Sequence, residues 1–222
     1  MKDYVRLRKL SQREMFVPRE AMVVICGVER KTHYLAVDLP HSDDCFVMAF
    51  PAETTEAFLE GHNHAFAYFQ GVPRTILYDN TKLAVARILG DGTRTKARAF
   101  TELQSHYLFA EKFGRPGKGN DKGKVEGLVS YARQNFLVPV PRAGSWEELN
   151  EKLRGQCTKR RERRLRGHKD TIGERFQKDR ELLLPLPAAP YEASIGAEVV
   201  PVSLFLAPAY PSSITGRVKS RV

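Results

Sequence analysis

The chain has 222 residues, 42% of them hydrophobic, which is enough for one well-buried core and a small appendage. Its formal net charge of +10 and pI near 9.6 favour a polyanionic partner, nucleic acid first and an anionic membrane surface second. Three widely spaced cysteines indicate neither a disulfide framework nor a zinc knuckle. No stretch approaches the roughly twenty apolar residues of a membrane span and no signal peptide opens the chain, so we expect a cytoplasmic protein.

The first half of the chain predicts strands after a basic beginning. Residues 1–19 are strongly basic with a weak apolar pattern, which we interpret as a basic arm or short helix; a solvated terminus is the simpler alternative. From Ala21 the composition changes to three short apolar runs, 21–28, 33–39 and 45–50, separated by polar turn residues. Three strands in close succession predict an antiparallel meander.

A helix and a fourth strand follow. Thr54 or Thr55 is the predicted N-cap of a helix whose apolar residues recur at helical spacing until residues 71–73 end it. Residues 74–78 then predict a strand, and Asp79 comes directly after it. In open α/β sheets, sites form outside strand ends, so Asp79 is well placed to point into a cleft.

A second acidic residue is predicted on a later helix. Residues 100–113 have helical spacing, and a lysine- and glycine-rich stretch then leads into a helix from about residue 121 to residue 136. On that helix Glu126 lies at the rim of the apolar stripe, on the same side as Lys122. Together with Asp79 it suggests a site for hard divalent cations that handle a phosphodiester. An ordinary surface ion pair between Glu126 and Lys122 is the alternative.

The last third of the chain is divided by its charge and proline content. A capping box at residues 145–148 opens a helix that continues into the dense basic run 159–169, which would contact phosphates or form a solvated basic helix. Proline and alanine beyond Leu182 mark a linker. The predicted organisation is a basic N-terminal arm at 1–19, a core at 20–140, a basic helical extension at 141–182, and a Pro-rich linker with a weakly ordered tail at 183–222.

Several long runs together resemble the catalytic core of IstA-type transposases of bacterial insertion sequences. The runs occur in the order that the family has, and the resemblance covers roughly residues 20–191; they are residues 27–31, 38–42, 51–55, 76–82 and 114–127. The resemblance implies an α/β, ribonuclease H-like fold of the retroviral-integrase type, with a mixed sheet, the three-stranded meander and flanking helices. It also implies metal-dependent phosphodiester hydrolysis and strand transfer on DNA.

The resemblance assigns roles to particular residues. An Asp, Asp, Glu triad binds two divalent metals in this family, usually magnesium and otherwise manganese; Asp79 matches the second aspartate and Glu126 the glutamate. The partners it implies are transposon-end and target DNA, further copies of the chain assembled on DNA, and an AAA+ helper ATPase, with no membrane. The DNA-binding residues predicted from the basic segments and the resemblance are Lys82, Arg115, Lys118, Lys122, Lys124, Arg133, Arg160, Arg161, Arg163 and Arg164.

The chain departs from the family pattern at the first aspartate. A short segment that would hold this residue is absent before Ala21, and Val17 falls at the matching position. Glu20 is offset by three positions, which places it on the opposite face of a strand, and Asp38 has no matching role. We therefore expect a defective remnant that keeps the fold and some DNA affinity. The alternatives are a non-catalytic DNA-binding protein that uses its basic surface, and a metal-dependent nuclease of the same fold.

Overall fold

The computed structural model describes residues 14–78, 85–88, 94–96, 98–113 and 130–193. Residues 130–135 are helical, and none of the helices in these ranges is long and apolar enough to cross a membrane. The other elements, in chain order, are β1 (Glu14–Ile25), β2 (Val28–Leu39), β3 (Asp44–Phe50), α1 (Thr55–Phe69), β4 (Thr75–Tyr78), β5 (Val85–Ile88), β6 (Arg94–Lys96), α2 (Arg98–Tyr107), β7 (Ala110–Phe113), β8 (Arg142–Ala143), α3 (Trp146–Arg160) and α4 (Ile172–Arg180).

The main sheet is mixed, and its strands follow the order β3-β2-β1-β4-β7, with β8 also paired to β1. β1, β2 and β3 form the predicted antiparallel meander, whereas β1, β4 and β7 run parallel. The first hairpin turns at Cys26 and Gly27, which have φ values of 51° and 78°. Two consecutive positive φ values define the tight hairpin turn whose twist matches that of the strands, and glycine adopts this conformation without strain.

The first strand begins at Glu14, so the predicted basic arm is wrong for residues 14–19. β1 pairs with β2 over Val17–Ile25, with β4 over Glu14–Phe16 and with β8 over Val24–Ile25. Pro18 lies between the two parallel ladders, where its missing N–H costs no hydrogen bond on that edge. Pro18 and the charged residues near it indicate that no strand continues through this stretch. The structure differs because residues 14–16 pair with β4, which lies some sixty positions later in the chain.

Helix α1 packs closely on the meander. Its N-cap is Thr54, whose hydroxyl accepts a hydrogen bond from the backbone N–H of Ala57 at 3.1 Å, and Gln70 ends it in the left-handed conformation. A Cβ added to Gly61 would lie 2.8 Å from Leu35 Cδ2, so glycine is needed for α1 to approach β2. Residues 100–113, predicted as one helix, instead form α2 and β7, because the chain turns at Leu108 with a φ of 60°.

The predicted basic extension belongs to the same folded unit as the core. β8 joins the main sheet beside β1, and α3 lies against β3, the strand at the edge of that sheet. The amide of Asn150 accepts from the backbone N–H of Ala49 at 2.7 Å and donates to its carbonyl at 3.0 Å. One side chain thus occupies backbone groups that an edge strand would otherwise present to another chain.

Residues 183–193 are not the linker that their prolines predicted. Val72 and Leu184 exchange two backbone hydrogen bonds, of 2.9 and 2.7 Å. Further on, the carbonyl of Tyr191 accepts from Asn63 Nδ2 at 2.7 Å, and the N–H of Tyr191 donates to the hydroxyl of Tyr107 at 3.2 Å. These contacts are tertiary, so composition alone does not reveal them. Residues 194–222 lie outside the described ranges.

A buried polar cluster ties the turn between β2 and β3 to the C-terminal helices. Asp44 Oδ2 accepts from Arg161 Nε at 2.9 Å and from its Nη2 at 2.7 Å. Asp43 pairs with Arg175 at 3.0 Å, and Asp179 binds His41 Nδ1 at 2.9 Å and the backbone N–H of Ser42 at 3.1 Å. Burial raises the pKa of Asp44, and the neighbouring Arg161 opposes that shift. The carboxylate therefore depends on its arginine to remain charged.

Replacing Arg161 with alanine is expected to lower the free energy of unfolding by about 3 kcal/mol, because it leaves a buried carboxylate without its cation. Urea denaturation measures this loss. Arg164→Ala is the matched control, since Arg164 is exposed and its removal is expected to change the stability by less than ~0.5 kcal/mol. Equal losses in the two variants would show that the Asp44–Arg161 pair is not what holds the turn.

Candidate functional site

Two parallel strands, β4 and β7, end side by side in the main sheet, next to β1, which continues to Ile25. Phe16 of β1 is in register with Tyr78 of β4, and Tyr78 is in register with Phe113 of β7. The carboxyl ends of parallel strands are where α/β proteins place their ligands and reacting groups. The candidate site is therefore the edge formed by these strand ends.

A buried histidine, His62, is hydrogen-bonded to the side chain of Tyr78, the last residue of β4. Nδ1 of His62 lies 2.7 Å from the carbonyl oxygen of Phe58, which can only accept, so Nδ1 carries the proton. Nε2 lies 2.8 Å from the hydroxyl of Tyr78 and must accept the hydrogen bond that this hydroxyl donates. Both side chains are at most 2% exposed. This pair fixes the side chain of the last described residue before Asp79.

The environment of His62 keeps its imidazole neutral. The ring lies among the aromatic rings of Phe58, Phe66 and Phe109, with centroids 4.6 to 6.2 Å away. Complete burial lowers the pKa of His62 to about 4, and the hydrogen bond to Phe58 opposes the shift only in part. Because both ring nitrogens are hydrogen-bonded inside the core, His62 acts as a packing residue that supports β4.

The predicted metal ligands lie outside the described ranges. Asp79 comes directly after Tyr78, and Glu126 precedes the described helical segment 130–135 by four positions. The same holds for five of the predicted DNA-binding residues, which are Lys82, Arg115, Lys118, Lys122 and Lys124. Within the described residues, no group of three or more His, Cys, Asp or Glu side chains could hold a metal ion.

Position 17, where the sequence resemblance predicts that an aspartate is missing, lies next to the candidate site. Val17 directly follows Phe16, the residue of β1 that is in register with the end of β4, and its own partner in β2 is Ala36. The two nearby acids do not replace an aspartate there. Glu20 is half exposed and pairs with Lys31 at 2.7 Å, while Asp38 is buried in β2 opposite Cys45.

The structure brings part of the predicted DNA-binding set together around one tyrosine. The Tyr131 ring has the guanidinium of Arg160 at 4.8 Å and that of Arg163 at 5.7 Å from its centroid. The Tyr131 hydroxyl also accepts from Arg163 at 2.5 Å. These contacts place the end of α3 and the basic residues that follow it against the helical segment that carries Arg133. We name Tyr131, Arg160 and Arg163 the tyrosine–arginine cluster.

The remaining basic residues divide into exposed and internal ones. Arg133, Arg163 and Arg164 are exposed and remain predicted DNA ligands. Arg160 is half-buried and also donates to the carbonyl of Asp43. Arg161 is engaged by Asp44 and lies 4.3 Å from the ring centroids of both Tyr68 and Phe176, so the structure gives it an internal, stabilising role.

Sequence reasoning missed two residues that shape this region. Tyr131 lies on the predicted helix but on neither the apolar stripe nor the charged side that the pattern defined. Arg175 is 8% exposed and donates to the carbonyl of His41 as well as to Asp43, although its local sequence is that of an ordinary surface helix. For Tyr131, the available signal was an aromatic residue two positions before Arg133, a combination that suits a nucleic-acid surface.

The sequence comparisons point to one group of proteins. No protein-family model matches the chain. It is 33% identical over 176 residues to the transposase for insertion sequence element IS21 of Pseudomonas aeruginosa, a match of 79% of this chain and 45% of that protein. It is 37% identical over 134 residues to a transposase of Aminobacter aminovorans, a match of 60% of this chain and 26% of that protein. The transposase for IS640 of Shigella sonnei is 32% identical over 164 residues, a match of 73% of this chain and 52% of that protein.

The structural comparisons define the fold. The catalytic core domain of BIV integrase superposes with a TM-score of 0.56 at 13% identity, over 78% of this chain and 97% of that chain. The HTLV-2 integrase catalytic core domain in complex with magnesium gives 0.51 at 11% identity, over 74% of this chain and 95% of that chain. The protein thus has the ribonuclease H-like fold of an integrase catalytic core, as the sequence predicted. By sequence it is a homologue of the IS21-type transposases of bacterial insertion sequences, and it spans about a quarter to a half of the length of these relatives.

Replacing His62 with glutamine is expected to remove a pH dependence of stability. Because the folded pKa of about 4 lies below the ordinary 6.5, His62 contributes fully above pH 6.5 and loses its contribution as the pH falls toward 4. We expect the stability difference between wild type and His62→Gln to shrink by about 2 kcal/mol from pH 7 to pH 5, measured by urea denaturation. His64 lies on the exposed side of α1, so His64→Gln should keep the wild-type pH profile of stability. A stability difference between wild type and His62→Gln that stays constant from pH 7 to pH 5 would contradict a buried neutral imidazole.

Proposed function

We propose that this chain is the catalytic-core part of a DNA transposase whose metal site is incomplete, so that it keeps DNA affinity but catalyses strand transfer poorly or not at all. The observation that supports this most is the homology to IS21-type transposases over 79% of the chain. The integrase-type fold and the formal net charge of +10 agree with DNA as the partner. Assembly into a homo-oligomer on DNA and a helper ATPase partner remain predictions.

The proposed metal ligands are Asp79 and Glu126. Their support is their match to the family motif and the place of Asp79 directly after β4, at the edge where parallel strands end. The solved HTLV-2 integrase core contains magnesium, which makes magnesium the metal to test. The proposal that the site is incomplete rests on the family motif, which has an aspartate at the position of Val17. Of the two nearby acids, Glu20 pairs with Lys31 and Asp38 is buried in β2.

The alternative, a protein that binds DNA without catalysis, is supported by the tyrosine–arginine cluster. Cations around a half-buried aromatic ring suit the backbone and bases of a nucleic acid, and they need no metal. A protein that only binds DNA and a transposase with an incomplete site therefore share this surface. They differ in whether divalent metal binds at all.

Restoring a carboxylate at position 17 is expected to create metal-dependent stabilisation. A metal that binds only the folded state raises the melting temperature, so Val17→Asp should melt at a higher temperature with manganese than without it. Val17→Asn is the control, because it has nearly the same shape as the aspartate but no charge. We expect the wild type and Val17→Asn to respond weakly, and Val17→Asp combined with Asp79→Asn to lose the response. A strong response of the wild type would contradict the incomplete site, and no response of any variant would favour the pure DNA-binding protein.

Strand transfer provides a direct test of catalytic competence. The wild-type chain is expected to join a transposon-end duplex to target DNA no faster than its Asp79→Ala variant in the presence of magnesium or manganese. Gel analysis of joined and nicked products measures both outcomes. Robust joining that Asp79→Ala abolishes would contradict the proposal of a defective core, and nicking without joining would indicate a nuclease of the same fold.

Removing the exposed arginines that follow α3 should weaken DNA binding in a salt-dependent manner. Arg163→Gln together with Arg164→Gln removes about two phosphate contacts, which should lower the slope of log K against log salt by about 1.8. Fluorescence anisotropy with a labelled duplex measures the slope. Arg30→Gln together with Arg154→Gln removes the same charge from exposed positions elsewhere and should leave the slope within error of wild type. An equal effect of the two pairs would mean that only net charge matters.

A further inference from the structure

A groove of about 470 Å³ lies between α3 and the loop that follows the helical segment 130–135. One wall is apolar and includes Val138 and Val140, which are 59% and 44% exposed. The other wall is one face of α3, on which Lys152, Gly155 and Lys159 recur at intervals of three and four positions. The predicted functional residues do not include any side chain of this groove.

The charge of the groove is positive. Arg142, Lys152 and Lys159 line it, and no carboxylate from the described part of the chain does. Lys152 Nζ is held by Glu148 at 2.6 Å and by the carbonyl of Arg142 at 2.8 Å, so part of its charge is already compensated. Arg142 and Lys159 form no ion pair with a described carboxylate and are exposed to solvent. An anionic ligand would therefore meet two available cations here.

A glycine in the wall of this groove has no packing explanation. Gly155 lies inside α3, where glycine destabilises a helix by about 1 kcal/mol relative to alanine. A Cβ added to it would meet no atom within 4 Å, so the protein itself leaves room for a side chain. The absence of that side chain keeps the groove deep and allows a ligand to approach the helix backbone between Lys152 and Lys159.

We propose that this groove binds the phosphodiester backbone of a nucleic acid strand, with the sugar or base against Val138 and Val140. Lys152 and Lys159 are seven residues apart, about 10 Å along the helix, a separation of about three base steps along the axis of a duplex at ~3.4 Å per step. The groove is a second contact surface in addition to the tyrosine–arginine cluster. This inference rests on the proposed function, because it takes DNA as the anionic partner.

Filling the groove tests the proposal without touching the core. Gly155→Leu places a side chain in the groove and should lower the affinity for a fluorescein-labelled DNA duplex several-fold, while Gly155→Ala adds only a methyl group and should bind like wild type. Arg142→Gln together with Lys159→Gln should lower the salt slope by about 1.8, whereas the Arg30→Gln and Arg154→Gln pair should not change it. Circular dichroism verifies that each variant is folded. If Gly155→Leu does not fold, the variant that replaces Arg142 and Lys159 is an independent test.

The outcomes separate this proposal from the proposed function. If wild type binds DNA and both groove variants bind like wild type, the groove proposal is wrong and the proposed function stands. If wild type does not bind DNA, both are wrong. Sodium polyglutamate serves as the acidic-peptide probe: groove variants that lose affinity for polyglutamate but not for DNA would assign the groove to an acidic protein partner and overturn the proposal.

Discussion

β1 has hydrogen-bonded neighbours on both of its edges, and the rest of the sheet depends on this pairing. Its antiparallel ladder with β2 begins the meander, and its short parallel ladders with β4 and β8 attach the middle and the C-terminal part of the chain. Parallel strands need a crossover, so these ladders join segments that are distant in sequence. The register of Phe16 with Tyr78 also decides which residues meet at the candidate site.

The predicted departure from the family pattern at position 17 does not interrupt the sheet. Residues 14–16 pair with β4 and Val17–Ile25 pair with β2, so β1 is continuous through position 17, where the resemblance predicts an aspartate. A sheet ladder is made by backbone groups and does not depend on which side chain a position carries. A chain that lacks this aspartate can therefore keep the integrase fold, with β4 supported by Tyr78 and His62.

The arginines of the C-terminal region serve two different purposes. Arg161 and Arg175 are directed inward, where Asp44 and Asp43 compensate their charge and fix the turn between β2 and β3. Arg163 and Arg164 are exposed on the same part of the chain. The buried pairs hold the basic surface in place relative to the sheet, so the overall charge of this region overstates the number of cations available to DNA.

The sequence by itself determined the meander, the capped α1 and the family, because apolar periodicity, caps and long motif runs are local signals. The match of Val17 to the family's first aspartate stays a prediction. The sequence did not determine the start of β1, the end of α2, the docking of residues 183–193 or the internal role of Arg161. Those depend on partners far away in the chain: β4 for residues 14–16, Val72 for Leu184 and Asp44 for Arg161. Tertiary structure decided them because a backbone group or a charge is satisfied by whichever partner the fold brings near it.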